Sequence, residues 1–566
     1  MHSCRWALFL AGLLVVTILA GCNRKGAAEA AAPAGGNDAA SPAAAANEND
    51  VAAPDRSWWR GAVFQEVYVR SYFDSDGDGI GDFPGLTEKL PYLARLGVGA
   101  LWLMPMYPTP FFDSGYDVAD YEAINPDYGT MDQFQAFLAA AHALGIRVFL
   151  DGVFNHTSWD HPWFQESRSS RTNPKRDWYE WADQPLWNCG ADPSWGNFGA
   201  SRWEYDPPTG QSYFHFFMTE QPDLNWKNPA VMTAIEDVLR FWFDLGVDGF
   251  RLDAVGAYYE DETVCDNAPQ THAILKEFRK VADEYPDRAF VGEAGGSPDQ
   301  WPQWFGNGAD ELHMAFNFNL ADALYAAVYV EEPFPITRVM EASWAKLPPG
   351  GQQAVFISNH DSYRCYDLLF RDERRVKLAA ALELTVPGTP FIYYGEEIGM
   401  ADAPDIVVDY RDRARAPMQW NGAKNAGFTT GAPWVGVSSN YPTNNVAAEE
   451  QNPNSLLNHF RRVIALRNHS DALRFGDYQE VVADAPNAYA FFRTTDRETV
   501  LLVFNLSHLA QTFELALAAT PWDGATGRVR DLYASAFVAD LTAANGGGYP
   551  VSLPPFGFAF LKLSRD

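Results

Sequence analysis

Short apolar runs alternate with amphipathic stretches from about residue 58 to residue 400. The apolar runs have the length of buried strands, and the stretches between them repeat apolar residues at helical spacing. The pattern predicts strands at 62–69, 98–105, 146–156, 247–255, 288–294, 353–361 and 389–397. It predicts helices at 84–97, 131–145, 228–246, 272–285 and around 373–385. Such alternation is typical of a parallel sheet covered by helices, with enough units to close an eight-stranded barrel.

Two segments depart from this alternation. Residues 155–228 are polar, rich in tryptophan and too long for a simple loop, which indicates an inserted subdomain. After about residue 475 the pattern becomes short strands separated by turn residues, which indicates an all-β domain. We therefore expect a barrel from residues 57–154 and 229–475, an insertion over 155–228 and a C-terminal β-sandwich over 476–566.

The N-terminus has the pattern of an export signal. Arg5 precedes an apolar run over 6–20 that is too short for a stable membrane span, and the run ends in the residues LAGC. This ending resembles the bacterial lipoprotein signal, which implies removal of residues 1–21, acylation of Cys22 and an exported protein anchored to a membrane by that lipid alone. An ordinary secretion signal is the alternative. The alanine-rich residues that follow, to residue 56, are typical of a flexible tether.

Charge and composition narrow the class of ligand. The formal net charge of −31 argues against a nucleic-acid partner, because phosphate binding needs a basic surface. The 19 Trp, 25 Tyr and 38 Phe residues favour a neutral, hydroxyl-rich ligand that stacks on aromatic rings. Besides Cys4 and Cys22, the chain has Cys189, Cys265 and Cys365. At most one internal disulfide can form among them, and a bond between Cys189 and Cys265 stays open.

Polar residues cluster at the predicted carboxyl ends of the strands, where barrels of this kind carry their chemistry. They are Asp151, Asn155, His156, Arg251, Asp253, Glu293, Asn359, His360 and Asp361. Three carboxylates, Asp253, Glu293 and Asp361, therefore converge from three strands. Arg251 lies two positions before Asp253 and so on the same face of its strand. Because a buried charge is costly unless it is paired or used, this pair predicts an active site.

Two carboxylates about 5–5.5 Å apart cleave glycosides with retention of configuration. We expect Arg251 to keep Asp253 ionised as the nucleophile, and Glu293, alone at the end of an apolar strand, to hold the proton. Asp361, His156 and His360 can hydrogen-bond sugar hydroxyls, although buried loop histidines with a structural role are the alternative for the last two.

The motifs DGVFNH, GFRLDAV, VGEA and SNHD occur in this order. They resemble the four sequence regions of the α-amylase family of glycoside hydrolases (glycoside hydrolase family 13), and the resemblance extends from about residue 58 to residue 566. It implies an α/β fold, a (β/α)8 TIM barrel with an inserted B domain and a C-terminal antiparallel β-sandwich. It also implies Asp253 as nucleophile, Glu293 as acid/base and Asp361 as transition-state stabiliser. The implied sugar-binding residues are Tyr116, Asp117, His156, Arg251 and His360.

The stretch DSDGDGIGD, residues 74–82, has the alternate aspartates that begin a calcium loop of the EF-hand type. The flanking helices of an EF-hand are missing, so a solvated acidic turn is the alternative. The stretch also resembles the metal loop of α-glucosidases and related amylases of the family. That resemblance implies a structural Ca²⁺, with Mg²⁺ as the other candidate, on Asp74, Asp76, Asp78, the Ile80 carbonyl and Asp82.

Finer features favour an exo-acting α-glucosidase within this family. QPDLN followed by WKNP, and the RxPMQW motif that begins at Arg415, resemble the oligo-1,6-glucosidase and α-glucosidase branch. In that branch the motif's arginine pairs with the aspartate that corresponds to Asp117, which leaves a pocket for one glucose. In α-glucosidases of that branch a small residue after the nucleophile, here Ala254, goes with α-1,4 bonds. Many α-amylases carry a Lys-His pair where this chain has Gly256 and Ala257, so the resemblance puts the usual calcium site between the barrel and the insertion in doubt.

Other functions remain open. The continuation SNHDSYRCYD is not typical of an α-glucosidase, and export suits an α-amylase that trims starch-derived oligosaccharides. Isomerisation of maltose to trehalose, or a related transglycosylation, uses the same covalent intermediate. A sugar-binding protein on an inactive barrel is a further alternative, against which the three intact carboxylates argue. In every case the expected partner is a malto-oligosaccharide or starch-derived sugar.

Overall fold

The computed structural model describes residues 57–184, 201–261, 264, 266–407 and 410–565. The predicted signal, the tether, Cys22 and the Cys189–Cys265 question lie outside these residues. Cys365 is a buried free thiol. In the described part of the chain, every helix is too short or too polar to cross a membrane.

A closed barrel of eight parallel strands forms the centre of the molecule. In chain order the strands before residue 400 are β1 Phe64–Val67, β2 Ala100–Leu103, β3 Arg147–Gly152, β4 Trp181–Ala182, β5 Trp203–Asp206, β6 Gln211–Phe214, β7 Gly249–Leu252, β8 Ala289–Gly292, β9 Met314–Phe316, β10 Gln352–Val355 and β11 Thr389–Tyr393. The barrel runs β1-β2-β3-β7-β8-β9-β10-β11 and closes by pairing β11 with β1. The predicted fold class is confirmed.

Helices cover the barrel and continue to the C-terminal domain. They are α1 Trp58–Gly61, α2 Val69–Tyr72, α3 Phe83–Leu96, α4 Met131–Ala143, α5 Pro162–Ser169, α6 Pro229–Asp244, α7 Pro269–Asp283, α8 Phe318–Val330, α9 Phe334–Ala342, α10 Cys365–Leu368, α11 Glu373–Glu383, α12 Val446–Glu450, α13 Leu456–Asn468 and α14 Asp471–Phe475. Their ends follow local chemistry. Thr130 and Gln133 form a capping box at the start of α4, and Gly97 ends α3 with a φ of 94°.

The sequence pattern located seven barrel strands and missed β9. The missed strand has three residues, and its apolar character continues into α8 without a polar break. Asn317 separates the two elements, because its side chain accepts a hydrogen bond from the Leu320 amide and caps α8. A strand of this length leaves too little alternation for a period to be detected.

The insertion after β3 contains a small antiparallel sheet in the order β4-β6-β5, together with α5. Two isolated bridges, His156 with Asp223 and Tyr179 with Leu224, join the beginning of the insertion to its end. The insertion therefore returns to the mouth of the barrel close to where it left.

The C-terminal domain consists of β12 Asp477–Ala483, β13 Ala488–Thr494, β14 Thr499–Asn505, β15 Gln511–Ala516, β16 Gly527–Asp531, β17 Ala536–Phe537, β18 Tyr549–Leu553 and β19 Phe558–Arg565. The first part of β12 pairs with β13, and its last two residues, Val482 and Ala483, pair with β15. One strand thus takes part in both layers, whose inner faces enclose Phe492, Leu501 and Phe513.

Two buried arginines, one from each domain, donate to carbonyls that follow α11. Arg493 in β13 donates to the Thr385 carbonyl at 2.8 Å, and Arg467 in α13 donates to the Leu384 and Gly388 carbonyls at 3.1 and 2.7 Å. These carbonyls follow the end of α11, where a helix presents partial negative charge. Burial nevertheless lowers the pKa of Arg493 to about 9. The junction therefore combines a cation-to-carbonyl hydrogen bond with apolar packing, in which Phe491 and Phe504 belong to the same hydrophobic cluster as Leu384.

Candidate active site

The ends of β7 and β8 place Asp253 beside Glu293. The Asp253 amide donates to the Gly152 carbonyl at 3.1 Å, and the Glu293 amide donates to the Leu252 carbonyl at 2.8 Å. Ala254 then turns into the left-handed region with a φ of 45°, which aims its amide at Glu293 Oε2 at 2.9 Å. The backbone thus fixes one oxygen of Glu293 before any ligand is considered.

Arg251 lies at the centre of the carboxylates and is only 2% exposed. It donates to Asp151 Oδ1 at 2.8 Å, to Asp253 Oδ1 at 2.5 Å and to Glu293 Oε2 at 2.7 Å. Asp151 is in turn contacted by the Tyr116 hydroxyl at 3.1 Å. One guanidinium therefore contacts three carboxylates, of which only Asp253 was expected beside it from the shared strand face.

The same arrangement bears on the charge of Asp253. Burial raises the pKa of Asp253 well above its ordinary value, Arg251 opposes this, and the nearby Glu293 and Asp151 carboxylates raise it further. Arg251 favours the ionised form of Asp253, as expected, but burial and two neighbouring carboxylates oppose it, because the guanidinium is divided among three carboxylates. The charge state of Asp253 belongs to the whole cluster.

His360 carries a positive charge on the opposite side of the site. Its Nδ1 lies 2.6 Å from Glu66 Oε1, and its Nε2 lies 2.8 Å from the Tyr116 hydroxyl and 3.2 Å from Asp361 Oδ2. Burial by itself would lower its pKa, but Asp361 and Glu66 outweigh burial and raise the pKa to about 9. The His360 ring is therefore protonated at neutral pH.

Asp361 has three basic neighbours. Besides His360, it accepts from Arg415 at 2.8 Å and from Arg411 at 3.2 Å. Burial would raise its pKa, but His360, Arg411 and Arg415 hold the pKa well below its ordinary value. Asp361 is therefore an anion at neutral pH.

His156, by contrast, is neutral. Its Nε2 lies 3.0 Å from the Tyr116 carbonyl oxygen, and its ring packs edge to face on Phe217. Burial lowers its pKa to about 4, and the hydrogen bond to Tyr116 and the charge of Asp113 offset this only in part. Because the ring is neutral, it contributes hydrogen bonds and shape to the site without charge.

The predicted pair between Arg415 and Asp117 does not form. Asp117 is fully buried and accepts from the amides of Phe112 and Asp113 at 2.9 and 3.1 Å. Its role is therefore to hold the backbone of the loop that contains these two residues. Arg415 instead donates to Asp361 and to the His360 carbonyl at 3.0 Å. The arginine that reaches this loop is Arg411, which pairs with Asp113 as well as with Asp361.

These residues surround a cavity of about 930 Å³ at the barrel mouth. Its lining comes from the barrel ends, the insertion and the segment after residue 410. The lining residues include Asp113, Tyr116, His156, Arg202, Phe216, Phe217, Asp253, Ala254, Glu293, Phe318, Asp361, Tyr410 and Arg411. Sequence reasoning missed Asp113 and Arg411. Each lies close to a predicted residue, since Asp113 is three residues before Tyr116 and Arg411 is four before Arg415. Asp113 and Arg411 themselves are far apart in the chain, and only the fold brings them together.

The acidic loop brings three of its predicted ligands together. One carboxylate oxygen each from Asp74, Asp76 and Asp78 lies within 4.8 Å of the others. Asp82 is used differently, since its Oδ1 caps α3 by accepting from the Gly85 amide at 2.6 Å and its Oδ2 accepts from the Ser75 amide and hydroxyl. Hard oxygen ligands at this spacing fit Ca²⁺ or Mg²⁺.

A barrel with converging carboxylates and a cavity of this size defines an enzyme that acts on glycosidic bonds. Residues 66–476 match the α-amylase catalytic domain, and residues 478–560 match the maltogenic amylase C-terminal domain. The chain belongs to the α-amylase family of glycoside hydrolases.

Known proteins resemble nearly the whole described chain. The trehalose synthase/amylase TreS of Mycolicibacterium smegmatis is 41% identical over 82% of this chain and 86% of its own length. A probable alpha-glucosidase of Rhizobium meliloti is 36% identical over 90% of this chain and 98% of its own. The trehalulose synthase MutB of Pseudomonas mesoacidophila superposes with a TM-score of 0.79 at 32% identity, covering 90% of this chain and all of that one.

Proposed function

We propose that the protein is a retaining glucosyl transferase that isomerises maltose to trehalose within one closed site. The observation that carries the proposal is the bridge of Arg411 between Asp113 and Asp361. This bridge walls the cavity beside the carboxylates, so it admits one glucosyl unit at its inner end. The resemblance to a trehalose synthase over 82% of the chain supports the same activity. An α-glucosidase, which the sequence led us to expect, would use the same closed end of the cavity but transfer the glucosyl unit to water and release glucose.

In the first step Asp253 attacks the anomeric carbon of the non-reducing glucose. The bond from that carbon to the glycosidic oxygen breaks, a bond to the Asp253 oxygen forms, and Glu293 gives its proton to the leaving oxygen. The ring carries partial positive charge as this happens, and the Asp361 anion stabilises it. The products of the step are a glucosyl-enzyme and a glucose that is still inside the cavity.

The second step decides the outcome. If the retained glucose turns and presents its anomeric hydroxyl, Glu293 takes the hydroxyl proton, the oxygen bonds to the glucosyl carbon and Asp253 leaves, which gives trehalose. If water attacks instead, the product is a second glucose. The cavity of about 930 Å³ lies at the upper end of the range for small-molecule sites, so it has room for the glucose to turn.

The test follows maltose by proton NMR. Trehalose signals that grow faster than glucose signals support isomerisation, and added ¹³C-glucose that stays out of the trehalose shows that the transfer is internal. Glucose as the only product would indicate an α-glucosidase, and starch reduced to mixed oligosaccharides while maltose survives would indicate an α-amylase. Asp253→Asn, which keeps size and removes the nucleophile, is the control and gives neither product.

The Asp74 loop is proposed to hold a structural Ca²⁺ away from the reacting carboxylates. Removal of a bound ion lowers stability by mass action, so we expect EDTA to lower the melting temperature by roughly several degrees. Added Ca²⁺ should restore it, and Asp76→Asn should respond weakly to both. Unchanged melting together with no metal in elemental analysis contradicts the site.

The protein is also proposed to be exported and anchored through a lipid on Cys22. Detergent phase partition of cells that express the full chain tests this proposal. The native chain should enter the detergent phase, and Cys22→Ser should enter the aqueous phase. Equal partition of both would contradict the anchor.

A further inference from the structure

A second groove lies on the surface between the insertion and the barrel. Its volume is about 390 Å³, and its described lining shares no residue with the catalytic cavity. We call it the Trp163 groove, lined chiefly by Asp120, Glu122, His161, Trp163, Trp178 and Asp237. The activity proposed above uses none of these side chains.

Two tryptophans form a corner in this groove. The rings of Trp163 and Trp178 lie 4.9 Å apart at 69°, and both are half-buried. Lys175 lies 4.9 Å from the Trp178 ring, whereas His161 and Tyr121 support the Trp163 ring from the side. Because its neighbours hold the ring in place, little conformational entropy is lost when a flat apolar face stacks on it.

His161 supplies a hydrogen-bond donor to the same groove. Only 4% of the residue is exposed, and its Nδ1 accepts from the Trp163 amide at 3.1 Å, so the ring proton of the neutral form is on Nε2. Burial, with the charge of Lys175, lowers its pKa to about 3, which keeps the ring neutral. Among the described residues nothing accepts a hydrogen bond from this Nε2. A donor on the groove wall can serve a ligand that brings an acceptor.

Three carboxylates supply acceptors on the rim. Asp120, Glu122 and Asp237 are exposed, and Asp237 also lies 3.5 Å from Arg240. A metal cation would suit the carboxylates, but it would bring no acceptor for His161 and no flat face for Trp163. A pyranose ring brings hydroxyls that donate and accept, and an apolar face as well.

We propose that the Trp163 groove binds a glucosyl unit of a neutral α-glucan at a second site, separate from the catalytic cavity. The apolar face of the sugar stacks on Trp163, one hydroxyl accepts from His161 Nε2, and others donate to the rim carboxylates. Tyr121 joins the groove to the active site, since its hydroxyl lies 2.7 Å from the His156 carbonyl and 2.8 Å from the Val153 carbonyl. A glucan held here therefore lies on the insertion side of the barrel mouth.

Native gel electrophoresis with soluble starch in the gel tests the site, on a background of Asp253→Asn so that starch is not consumed. We expect the starch to retard the chain, Trp163→Ala to weaken retardation by about tenfold and Glu122→Gln with Asp237→Asn to weaken it several-fold. The matched control is Phe334→Ala, an aromatic that is 63% exposed on α9, which should leave retardation unchanged. In the active chain, Trp163→Ala should convert maltose at the native rate.

Each other outcome overturns the proposal. No retardation of the Asp253→Asn chain means that no second glucan site exists, and equal retardation of the Trp163→Ala chain places the site elsewhere. If Trp163→Ala fails to fold, the rim variant decides, since its residues are exposed. Calcium binding that the rim variant loses, without retardation by starch, assigns the groove to a cation. The gel reports binding alone, so a failure of the proposed isomerase activity leaves this result unaffected.

Discussion

Tyr116 lies between two buried histidines that differ in charge. Its carbonyl contacts His156 and its hydroxyl contacts His360. Burial lowers the pKa of both rings, but His156 has neutral neighbours at hydrogen-bond distance and a pKa of about 4, whereas His360 contacts two carboxylates and has a pKa of about 9. The part of the site around His360 is therefore charged, whereas the His156 ring brings no charge.

The difference indicates a division of labour. Charge develops on the sugar at the transition state, so fixed charges on rigid strands are placed where they stabilise it. The neutral His156 ring can bind sugar hydroxyls without disturbing those charges. Three kinds of experiment test this comparison, and they are ordered here by the size of the expected effect.

Loss of Arg251 breaks the charged side most severely. Arg251→Gln leaves three carboxylates without their common cation, so we expect kcat/KM on maltose to fall by at least about 10³-fold and the free energy of unfolding to fall by about 3 kcal/mol. Kinetics and urea unfolding measure the two effects. Arg240→Gln, at a surface arginine near Glu236, Asp237 and Glu284, is the control and should change stability by less than about 1 kcal/mol. An Arg251→Gln enzyme within tenfold of the native rate would refute the central role of this residue.

The two histidines can then be compared directly. His360→Gln removes a charge next to Asp361 and should lower kcat by about 10²-fold, whereas His156→Gln removes only neutral hydrogen bonds and should cost about tenfold or less. Steady-state kinetics of both variants on maltose measures the difference. The reverse order would contradict the larger role assigned to the charged histidine.

The pH dependence of stability gives the smallest and sharpest effect. An unfolded histidine titrates near pH 6.5. The stability that protonated His360 contributes is fully present below that pH and is lost as pH rises through about 9. His156 has a lowered pKa, so its cost appears as pH falls from about 6.5 towards 4. Melting temperatures from pH 4 to 10 should show that His360→Gln flattens the alkaline side and His156→Gln the acidic side; effects on the opposite sides would contradict the assignment.

Much of the fold and part of the site follow from local signals. Seven barrel strands carry their own apolar runs, and residues at strand ends, such as Asp253 and Glu293, have to meet at one mouth once the barrel closes. Strand β9 escaped because three residues cannot show a period. The Arg411–Asp113 pair escaped because nothing along the chain indicates which of two nearby arginines reaches a loop about 300 residues earlier.

Charge states were harder to predict than positions. Arg251 next to Asp253 suggested an ionised nucleophile, but the pKa depends on every neighbour that the fold brings in, including Asp151 from β3. Asp82 shows the same limit on a smaller scale. The spacing of the loop marked it as a metal ligand, whereas the start of α3 uses one of its oxygens as a helix cap.

The buried arginines at the junction also bear on how such chains can be recombined. The carbonyls that end α11 lie in the barrel domain, yet one of the guanidiniums that satisfy them, Arg493, belongs to the first hairpin of the C-terminal domain. A barrel that is cut after residue 476 loses the Arg493 donor, and the Thr385 carbonyl then has to bond to water or stay without that hydrogen bond. A grafted C-terminal domain from a relative therefore has to bring its own arginine to this point. The two domains share a hydrogen bond at their boundary, so a cut made there removes an interaction that stabilises the barrel as well.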